Sequence, residues 1–319
     1  MEYTAVIRTL GTAGNKYQQL LDSLAAQTIR PAKIIVYIAE EYPHPKETIG
    51  IEEYVYVKKG MAAQRALRYD EVNTEYILFL DDDLAFPADF VSCMYEQLKL
   101  QKADIISPDI YPNAQRSFLS ALMMFISGRM HARKDDGKWG YKVMRNSGYS
   151  YNRNPQKASY LSQTNAGACF FCKKTDFISI HFEEELWLDA VSYPLGEDQV
   201  MYYKMYLQGL KIITWYKCDI VHLDAGGNTN PDKEKALIYS DFRFKTIFWH
   251  RFIYLPDKSA LKRFWDMICI GYAFAFTLII SLIKLEFDIF RIKRSAIMDA
   301  IHFIKSKEYR NIPLIKKNI

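Results

Sequence analysis

The sequence predicts an α/β fold with a mainly parallel central sheet and a C-terminal α-helical extension. Short apolar segments alternate with segments whose apolar residues recur at helical spacing, and this alternation stops beyond about residue 230. A strand, helix, strand succession of this length forms a right-handed crossover between parallel strands. We therefore expect a first domain at residues 1–235 and a basic, aromatic-rich helical tail at residues 236–319.

The predicted elements follow one another in the order expected of an open parallel sheet. The predicted strands are 4–9, 33–39, 54–57, 76–80, 103–107, 164–173 and 212–215. The predicted helices are 15–27, 61–69, 88–102 and 196–208. Open α/β sheets bind ligands beyond the carboxyl ends of their strands, so polar residues at those ends are the candidates for function.

The composition indicates a folded protein with reduced thiols. Half of the 319 residues are hydrophobic and a quarter are charged, which excludes a disordered chain. The five cysteines are scattered and odd in number, which favours free thiols and a cytoplasmic location. The segment from Met1 to Leu10 reads directly as a strand rather than as a secretion signal. Cys169 and Cys172 have the spacing of metal ligands, but a zinc site normally needs four, so we expect a buried strand.

Three consecutive carboxylates, Asp81, Asp82 and Asp83, directly follow the apolar strand at 76–80. Like charges packed this closely raise one another's pKa unless a cation or a set of donors compensates them. Carboxylate oxygens suit Mg2+ or Mn2+, and Mg2+ is usually held by one or two carboxylates together with substrate phosphates. The motif therefore predicts a divalent metal site, with a solvated acidic turn as the alternative.

Two further candidates lie in the second half of the chain. Glu197 and Asp198 open a predicted helix, where the helix dipole favours negative charge whether or not the residues have a chemical role. His222 follows the apolar pair Ile220 and Val221, a setting that also suits a hydrogen-bonded core histidine. The sequence alone leaves both a chemical role and a purely structural role open for these three residues.

Residues 111–160 read as a long loop with a strong positive charge. The segment holds nine Lys and Arg residues against Asp135 and Asp136. Long connections inside compact domains are usually functional lids or flexible segments. One hypothesis is contact with an anionic acceptor such as a lipid pyrophosphate through Arg129, Arg133 and Lys134, and the other is a solvated loop.

Taken together, these residues resemble the inverting glycosyltransferases of family 2, which have the GT-A fold and use a sugar nucleotide as donor. The resemblance covers roughly residues 3–225. It is most specific over residues 60–90, where Arg65 precedes the strand that ends in the three aspartates and Pro87 and Phe90 follow. The later order of Glu197–Asp198, Gly209 and His222 resembles the second half of the same family.

The resemblance implies a role for each candidate residue. Asp198 would be the general base, Asp81 would meet the ribose, and Asp83 would hold the metal, with His222 as a further metal ligand. The nucleotide pocket would be lined by Thr9, Glu40, Arg65, Asp81 and Asp82. The family usually has an aspartate at the end of the second strand, where this chain has Ile38 and Ala39, so Glu41 is an alternative to Glu40.

The resemblance also implies the reaction partners. The donor would be a UDP-, GDP- or dTDP-linked sugar and the acceptor a glycan, with a lipid-pyrophosphate-linked glycan expected and nucleic acid excluded. Processive members of the family have a Gln-x-x-Arg-Trp motif, which precedes none of the five tryptophans, so we expect transfer of a single sugar. The alternatives are a nucleotidyltransferase, for which Gly11 to Gly14 and Lys16 are a faint signal, and a catalytically silent carbohydrate-binding protein.

The tail predicts contact with a membrane. From Ser240 to Ile319 it carries 15 Lys and Arg residues against 7 Asp and Glu. The uncharged stretch from Met267 to Ile283 is near the lower limit of about 17 residues for a spanning helix and has basic residues on both sides. Three placements are compatible with it: a helix lying in the membrane interface, a buried helical pair or homodimer interface, and a membrane span. We expect a cytoplasmic protein, peripheral on the inner face of the cell membrane.

Overall fold

The computed structural model describes residues 1–110, 117–129, 137–152, 156–223, 230–315 and 317–318. The strands are β1 Tyr3–Thr9, β2 Lys33–Ala39, β3 Glu52–Val57, β4 Tyr76–Asp81, β5 Leu84–Ala85, β6 Ile105–Pro108, β7 Trp139–Val143, β8 Ser150–Asn152, β9 Ser159–Ser162, β10 Cys169–Lys173, β11 Ile212–Trp215 and β12 Val221–His222. The helices are α1 Asn15–Ala25, α2 Phe90–Leu100, α3 Phe118–Ile126, α4 Lys174–Ser179, α5 Glu197–Leu207, α6 Pro231–Phe248, α7 Ala260–Ile283, α8 Phe287–Lys305 and α9 Lys307–Asn311. A 3-10 helix at Phe182–Asp189 precedes α5, and a π-helical turn at Trp249–Tyr254 continues α6.

One large twisted sheet organises the molecule. Ten of the described strands pair in the order β3-β2-β1-β4-β10-β6-β11-β9-β7-β8, and β5 pairs separately with β12. Seven of the ten run in the same direction, while β10, β9 and β7 oppose them. Because β1, β2, β3 and β4 are parallel, their carboxyl ends meet at one edge of the sheet, as the sequence predicts.

Both faces of the sheet are covered, which explains why its central strands are apolar at consecutive positions. Leu20, Leu21 and Leu24 of α1 and Phe90 of α2 pack on one face, against Val36 and its neighbours in the sheet. The opposite face packs against α5, α6 and the π-helical turn, with Val200, Phe244, Ile247, Phe248 and Phe252 in one cluster. The predicted division at residues 235 and 236 falls inside α6, so a separate tail domain stays a prediction.

Two predicted elements are wrong. Residues 61–65 form turns, residue 66 is a bend and residues 67–69 have no regular structure, so the predicted helix does not form. Both carboxylate oxygens of Asp189 accept from the backbone N–H groups of Ala62 and Ala63, at 2.9 and 2.8 Å. Residues 111–160 are not one loop, since their described part contains α3, β7, β8 and the start of β9. These strands are three to five residues long and mix aromatic with polar residues, and they lie at the far edge of the sheet.

The tail is joined to the sheet through a buried charge network. Arg251 of the π-helical turn donates to both oxygens of Glu185, at 2.8 and 2.9 Å, and Lys204 of α5 donates to Oε1 of Glu185 at 2.9 Å. Arg251 also donates to the carbonyl of Pro313 at 2.9 Å. Two cations around one buried carboxylate lower the pKa of Glu185 despite its burial. The network therefore ties the 3-10 helix, α5 and the end of the chain into one unit.

Candidate active site

A cleft of about 850 Å3 opens at the carboxyl ends of β1 and β4, and we call it the strand-end cleft. Five of the predicted site residues line it, namely Thr9, Asp81, Asp82, Asp83 and His222. A volume of this size lies within the range of small-molecule sites, which is about 300–1,000 Å3. The structure therefore brings the three aspartates together with His222, which lies about 140 residues further along the chain.

Each of the three aspartates has a different partner. Asp81 Oδ1 accepts from Arg8 Nη2 at 2.6 Å, and Asp82 Oδ2 accepts from the hydroxyl of Thr9. Asp83 Oδ2 lies 3.2 Å from Nε2 of His222. Burial raises the pKa of Asp82 to about 6, and the neighbouring charges of Asp81 and Asp83 act in the same direction although the Thr9 hydrogen bond opposes them. Each aspartate of the motif is thus held by a different side chain, which a solvated acidic turn would not require.

Arg8 is a site residue that the sequence analysis missed. Strand register places it directly beside Asp81, and its side chain lines the strand-end cleft. Its Nη1 also lies 3.9 Å from Oε1 of Glu197. Burial alone would lower the pKa of Arg8, but the carboxylates of Asp81, Glu197 and Asp198 have the larger combined effect and raise it. An arginine within a buried apolar strand is the signal that could have found it, because such a charge needs partners.

The short ladder between β5 and β12 holds Asp83 and His222 together. His222 is paired with Leu84 in register, and the backbone N–H of Leu223 donates to the carbonyl of Asp83 at 2.8 Å. Asp83 Oδ1 is buried and has no hydrogen-bond partner among the described residues. An orphaned buried carboxylate oxygen next to an imidazole fits a divalent cation.

A cation at this position would need ligands from a substrate. Within the described residues, no group of three or more His, Cys, Asp or Glu side chains is placed to hold a metal. Mg2+ commonly takes one or two protein carboxylates and completes its shell with substrate phosphates. Asp83 and His222 therefore fit part of the coordination shell of a divalent cation, and Mg2+ or Mn2+ at this position stays a prediction.

Behind the strand-end cleft, Arg65 binds the two acids at the start of α5. The guanidinium is 1% exposed, and its Nη2 lies 3.2 Å from Glu197 Oε1 and 3.0 Å from Asp198 Oδ1. It also donates to the carbonyl of Gly167 at 3.3 Å. A Cβ at Gly167 would lie 1.9 Å from Oδ1 of Asp198, so the absence of a side chain there lets the carboxylate approach.

The environment of Asp198 suits a general base. Burial raises its pKa, the adjacent charge of Glu197 raises it further, and Arg65 opposes both. Its side chain is still 33% exposed, which leaves the carboxylate accessible to a hydroxyl group. A carboxylate with a raised pKa accepts a proton more readily near neutral pH than an ordinary aspartate does.

The sequence model of Glycosyl transferase family 2 matches residues 18–178, just over half of the chain. The chain belongs to glycosyl transferase family 2. Among solved structures it is similar to the crystal structure of GalNAc-T7 with UDP, GalNAc and Mn2+, at 13% identity and a TM-score of 0.48. That similarity covers 84% of this chain and 55% of the other, so the chain spans little more than half of that structure's length. No curated protein matches the sequence significantly.

Membership of family 2 confirms two of the predictions. The chain belongs to the family that its sequence resembles, and its fold class is the predicted α/β type, with a large, mostly parallel central sheet followed by C-terminal helices. The match gives no support to the nucleotidyltransferase alternative. The donor, the acceptor and the roles of single residues in this family 2 protein are not fixed by the match.

Three of the predicted site residues lie outside the lining of the strand-end cleft as the described residues form it. Arg65 and Asp198 lie behind it, linked to it through Arg8 and Glu197. Glu40 is exposed just beyond the end of β2. Their roles in this family 2 enzyme stay predictions. Arg133 and Lys134, the other candidates for acceptor contact, lie outside the described residues.

Cationic residues of the strand-end cleft were also missed by the sequence analysis as binding residues. Lys16, Lys59 and Lys233 line it, and they come from the start of α1, the segment after β3 and the first turn of α6. Three lysines around a cleft with three aspartates create a surface suited to a diphosphate and a metal together. Lysines are common on any surface, so their convergence is visible only in the fold.

Proposed function

We propose that the protein transfers a single sugar, with inversion, from a nucleoside diphosphate sugar to a hydroxyl group of a glycan, using Mn2+ or Mg2+. The observation that carries this proposal is the pairing of Asp83 with His222 on the β5–β12 ladder at the strand-end cleft. The cleft supplies both the anionic ligands that a metal needs and the lysines that a diphosphate needs. UDP, GDP and dTDP are the candidate nucleotides.

The strand-end cleft would hold the donor by its diphosphate and its ribose. Asp83 and His222 would hold the metal, which when bound stabilises negative charge on the departing nucleoside diphosphate. Lys16, Lys59 and Lys233 would attract the same phosphates. Asp81 keeps one oxygen on Arg8, so its other oxygen remains for a ribose hydroxyl. Asp82 is fixed by Thr9 and shapes the floor of the pocket.

Asp198 would act as the base. Its carboxylate takes the proton from the acceptor hydroxyl while that oxygen forms a bond to the anomeric carbon of the donor sugar. The bond from the anomeric carbon to the diphosphate oxygen breaks on the opposite face, and its electron pair leaves with the nucleoside diphosphate. Arg65 holds the base in place and favours its ionised form through the 3.0 Å contact.

The acceptor in this proposal is a lipid-linked glycan on the cytoplasmic side of a membrane. Of the described helices, α7 is the one long and apolar enough to cross a membrane by length and composition. All five cysteines lie in described segments and none forms a disulfide, which fits a reducing compartment. The basic tail supports contact with an anionic membrane surface.

The test is a screen of UDP-, GDP- and dTDP-linked sugars for nucleotide release and for a thermal shift, with and without Mn2+. Asp198→Asn should lose at least about 100-fold in turnover, the usual scale of general base catalysis, and keep the donor-induced shift. Asp83→Asn should lose the part of the shift that needs Mn2+. Asp70→Asn is the matched control, because its carboxylate is exposed and pairs only loosely with Arg68, at 3.8 Å. Full turnover by Asp198→Asn would refute the role of the base.

A further inference from the structure

Helix α7 presents its apolar side to the outside and its polar side to the protein. The buried positions include Asp266, Thr277 and Ser281, with small Ala273 between them. The outward positions are Leu261, Phe264, Trp265, Met267, Ile268, Tyr272, Ile279, Leu282 and Ile283. A helix on the surface of a soluble protein has the opposite polarity, with its apolar stripe toward the core. The outer face of α7 therefore suits an apolar environment or an apolar partner surface.

Polar contacts hold α7 against the body of the protein along its length. Asp266 accepts from Arg145 at 2.8 Å, the hydroxyl of Tyr272 donates to the carbonyl of Ile126 at 2.6 Å, and Ser281 accepts from Lys293 at 2.8 Å. These contacts lie near the beginning, the middle and the end of the helix. Arg145 follows β7, Ile126 ends α3 and Lys293 lies on α8, so α7 packs along its length against the sheet domain and two neighbouring helices.

Helix α3 extends the same apolar surface. Its sequence is Phe-Leu-Ser-Ala-Leu-Met-Met-Phe-Ile, and none of these nine described residues is buried. Phe118 and Leu119 at its start are 83% and 67% exposed. Its end meets the middle of α7 through the Tyr272 hydrogen bond to Ile126. Contiguous exposed apolar surface of this kind marks an interaction site.

The ends of this surface are basic. Between Lys258 and Arg294 the chain holds seven Lys and Arg residues and three Asp and Glu, and one of the three acids is Asp266, which is buried against Arg145. Lys262 and Arg263 lie at the start of α7, and Lys284, Arg291 and Arg294 lie beyond its end. In a two-fold packing of two copies, each basic end would face another basic end, which is unfavourable. An anionic bilayer complements both the apolar face and its basic ends.

We propose that α3 and the outer face of α7 form one lipid-binding surface, called the α3–α7 surface, which lies flat in the interface of an anionic membrane. The surface also sets where the strand-end cleft lies. Lys235 of α6 is 3.9 Å from Asp288 at the start of α8, directly after α7, and Lys233 and Leu237 of the same α6 segment line the cleft. If the proposed function holds, the bilayer brings a lipid-linked acceptor beside the donor.

Vesicle flotation with the full chain tests the binding. The protein should float with vesicles of phosphatidylcholine and phosphatidylglycerol more than with phosphatidylcholine alone. Leu119→Glu combined with Trp265→Glu should lower the bound fraction by about tenfold or more, because charge is costly in the apolar part of the interface. The matched control is Leu100→Glu, since Leu100 is 71% exposed at the end of α2 and away from the α3–α7 surface. It should float like the original protein.

Fluorescence quenching by brominated lipids tests the orientation. Trp265 is compared with Ile279→Trp placed in a Trp265→Phe background, because both positions face outward and are 14 residues apart. A flat helix gives the two tryptophans equal, shallow depths. A spanning helix would separate their depths by up to about 21 Å, and that result would overturn the proposal.

Two further results would also overturn it. One is the absence of vesicle binding by the folded protein. The other is a concentration-dependent dimer that Leu119→Glu and Trp265→Glu dissociate without any binding to vesicles, which would make the surface an interface between copies. Thermal shift by UDP, GDP or dTDP with Mn2+ separates this proposal from the proposed function. Vesicle binding without a nucleotide shift would leave the membrane surface standing and remove the transferase proposal.

Discussion

Replacing Arg65 by methionine should raise the pKa of Asp198 and move the activity of the enzyme to higher pH. The guanidinium lies 3.0 Å from the carboxylate and is the cation that opposes burial and Glu197 in setting that pKa. A base with a higher pKa is protonated in a larger fraction of molecules at neutral pH. Turnover at neutral pH should therefore fall, and it should recover as the pH rises.

The size of the effect follows from the distance and the exposure. Two unit charges about 4 Å apart interact by about 4 kcal/mol at an effective dielectric constant of about 20. Because the Asp198 side chain is 33% exposed, solvent screening leaves about 1–2 kcal/mol of this interaction. That amount corresponds to about one pKa unit, or about a tenfold loss of rate below the pKa.

The assay is the initial rate of nucleotide release as a function of pH, with the melting temperature as a check on folding. Arg65→Lys keeps the charge and should keep most of the original profile. Glu197→Gln removes the negative neighbour and should shift the profile in the opposite direction, to lower pH. A loss of rate that is the same at every pH, or shifts of the same sign in Arg65→Met and Glu197→Gln, would refute this account of the base.

Three further predictions concern stability. Arg251→Met should lower the free energy of unfolding by about 3–5 kcal/mol in urea titration, because it leaves the buried carboxylate of Glu185 with one cation fewer. The pKa of Glu185 is lowered in the folded state, so its contribution to stability is present above the ordinary pKa of glutamate and is lost as the pH falls through the pKa of the folded state. Glu185→Gln should therefore make the free energy of unfolding depend less on pH in the acid range. Gly196→Ala should cost more than about 1 kcal/mol, since Gly196 has a φ of 88° and a Cβ would lie 2.3 Å from the ring of Phe244. Gly271→Ala in α7 is its control and should not destabilise, because a Cβ there meets open space.

The parts of the fold that the sequence predicts well are those with a strong local signal. The strands that became β1, β2, β4 and β11 are apolar at consecutive positions because helices cover both faces of the sheet. Parallel pairing then fixes which strand ends meet, and this is enough to place Asp81, Asp82 and Asp83 together with Thr9. His222 reaches them through the β5–β12 ladder, which is two residues long and has no signature of its own.

The parts that the sequence does not predict depend on partners far along the chain. Residues 61–69 carry apolar positions compatible with a helix, but the chain there forms turns and irregular structure whose backbone binds Asp189, more than 120 residues away. The strands within residues 111–160 are three to five residues long and mix aromatic with polar residues, so they lack the continuous apolar pattern of the central strands. The polarity of α7 becomes visible only when it is known which of its sides the protein covers.

The balance of charge around the reaction site connects these observations. Five carboxylates, Asp81 to Asp83 and Glu197 with Asp198, lie around a small region, and they repel one another unless cations compensate them. Arg8 and Arg65 supply two of those cations from the first 65 residues, whereas the acids they bind at the start of α5 come from the second half of the chain. Arg8 already has Asp81 beside it on β4, but Arg65 is satisfied only when the turns that carry it and α5 have come together. Arg65 and the acids that it binds are therefore brought together only by completion of the fold, which explains why the local motif at Asp81 to Asp83 can be read from the sequence whereas the groups around Asp198 cannot.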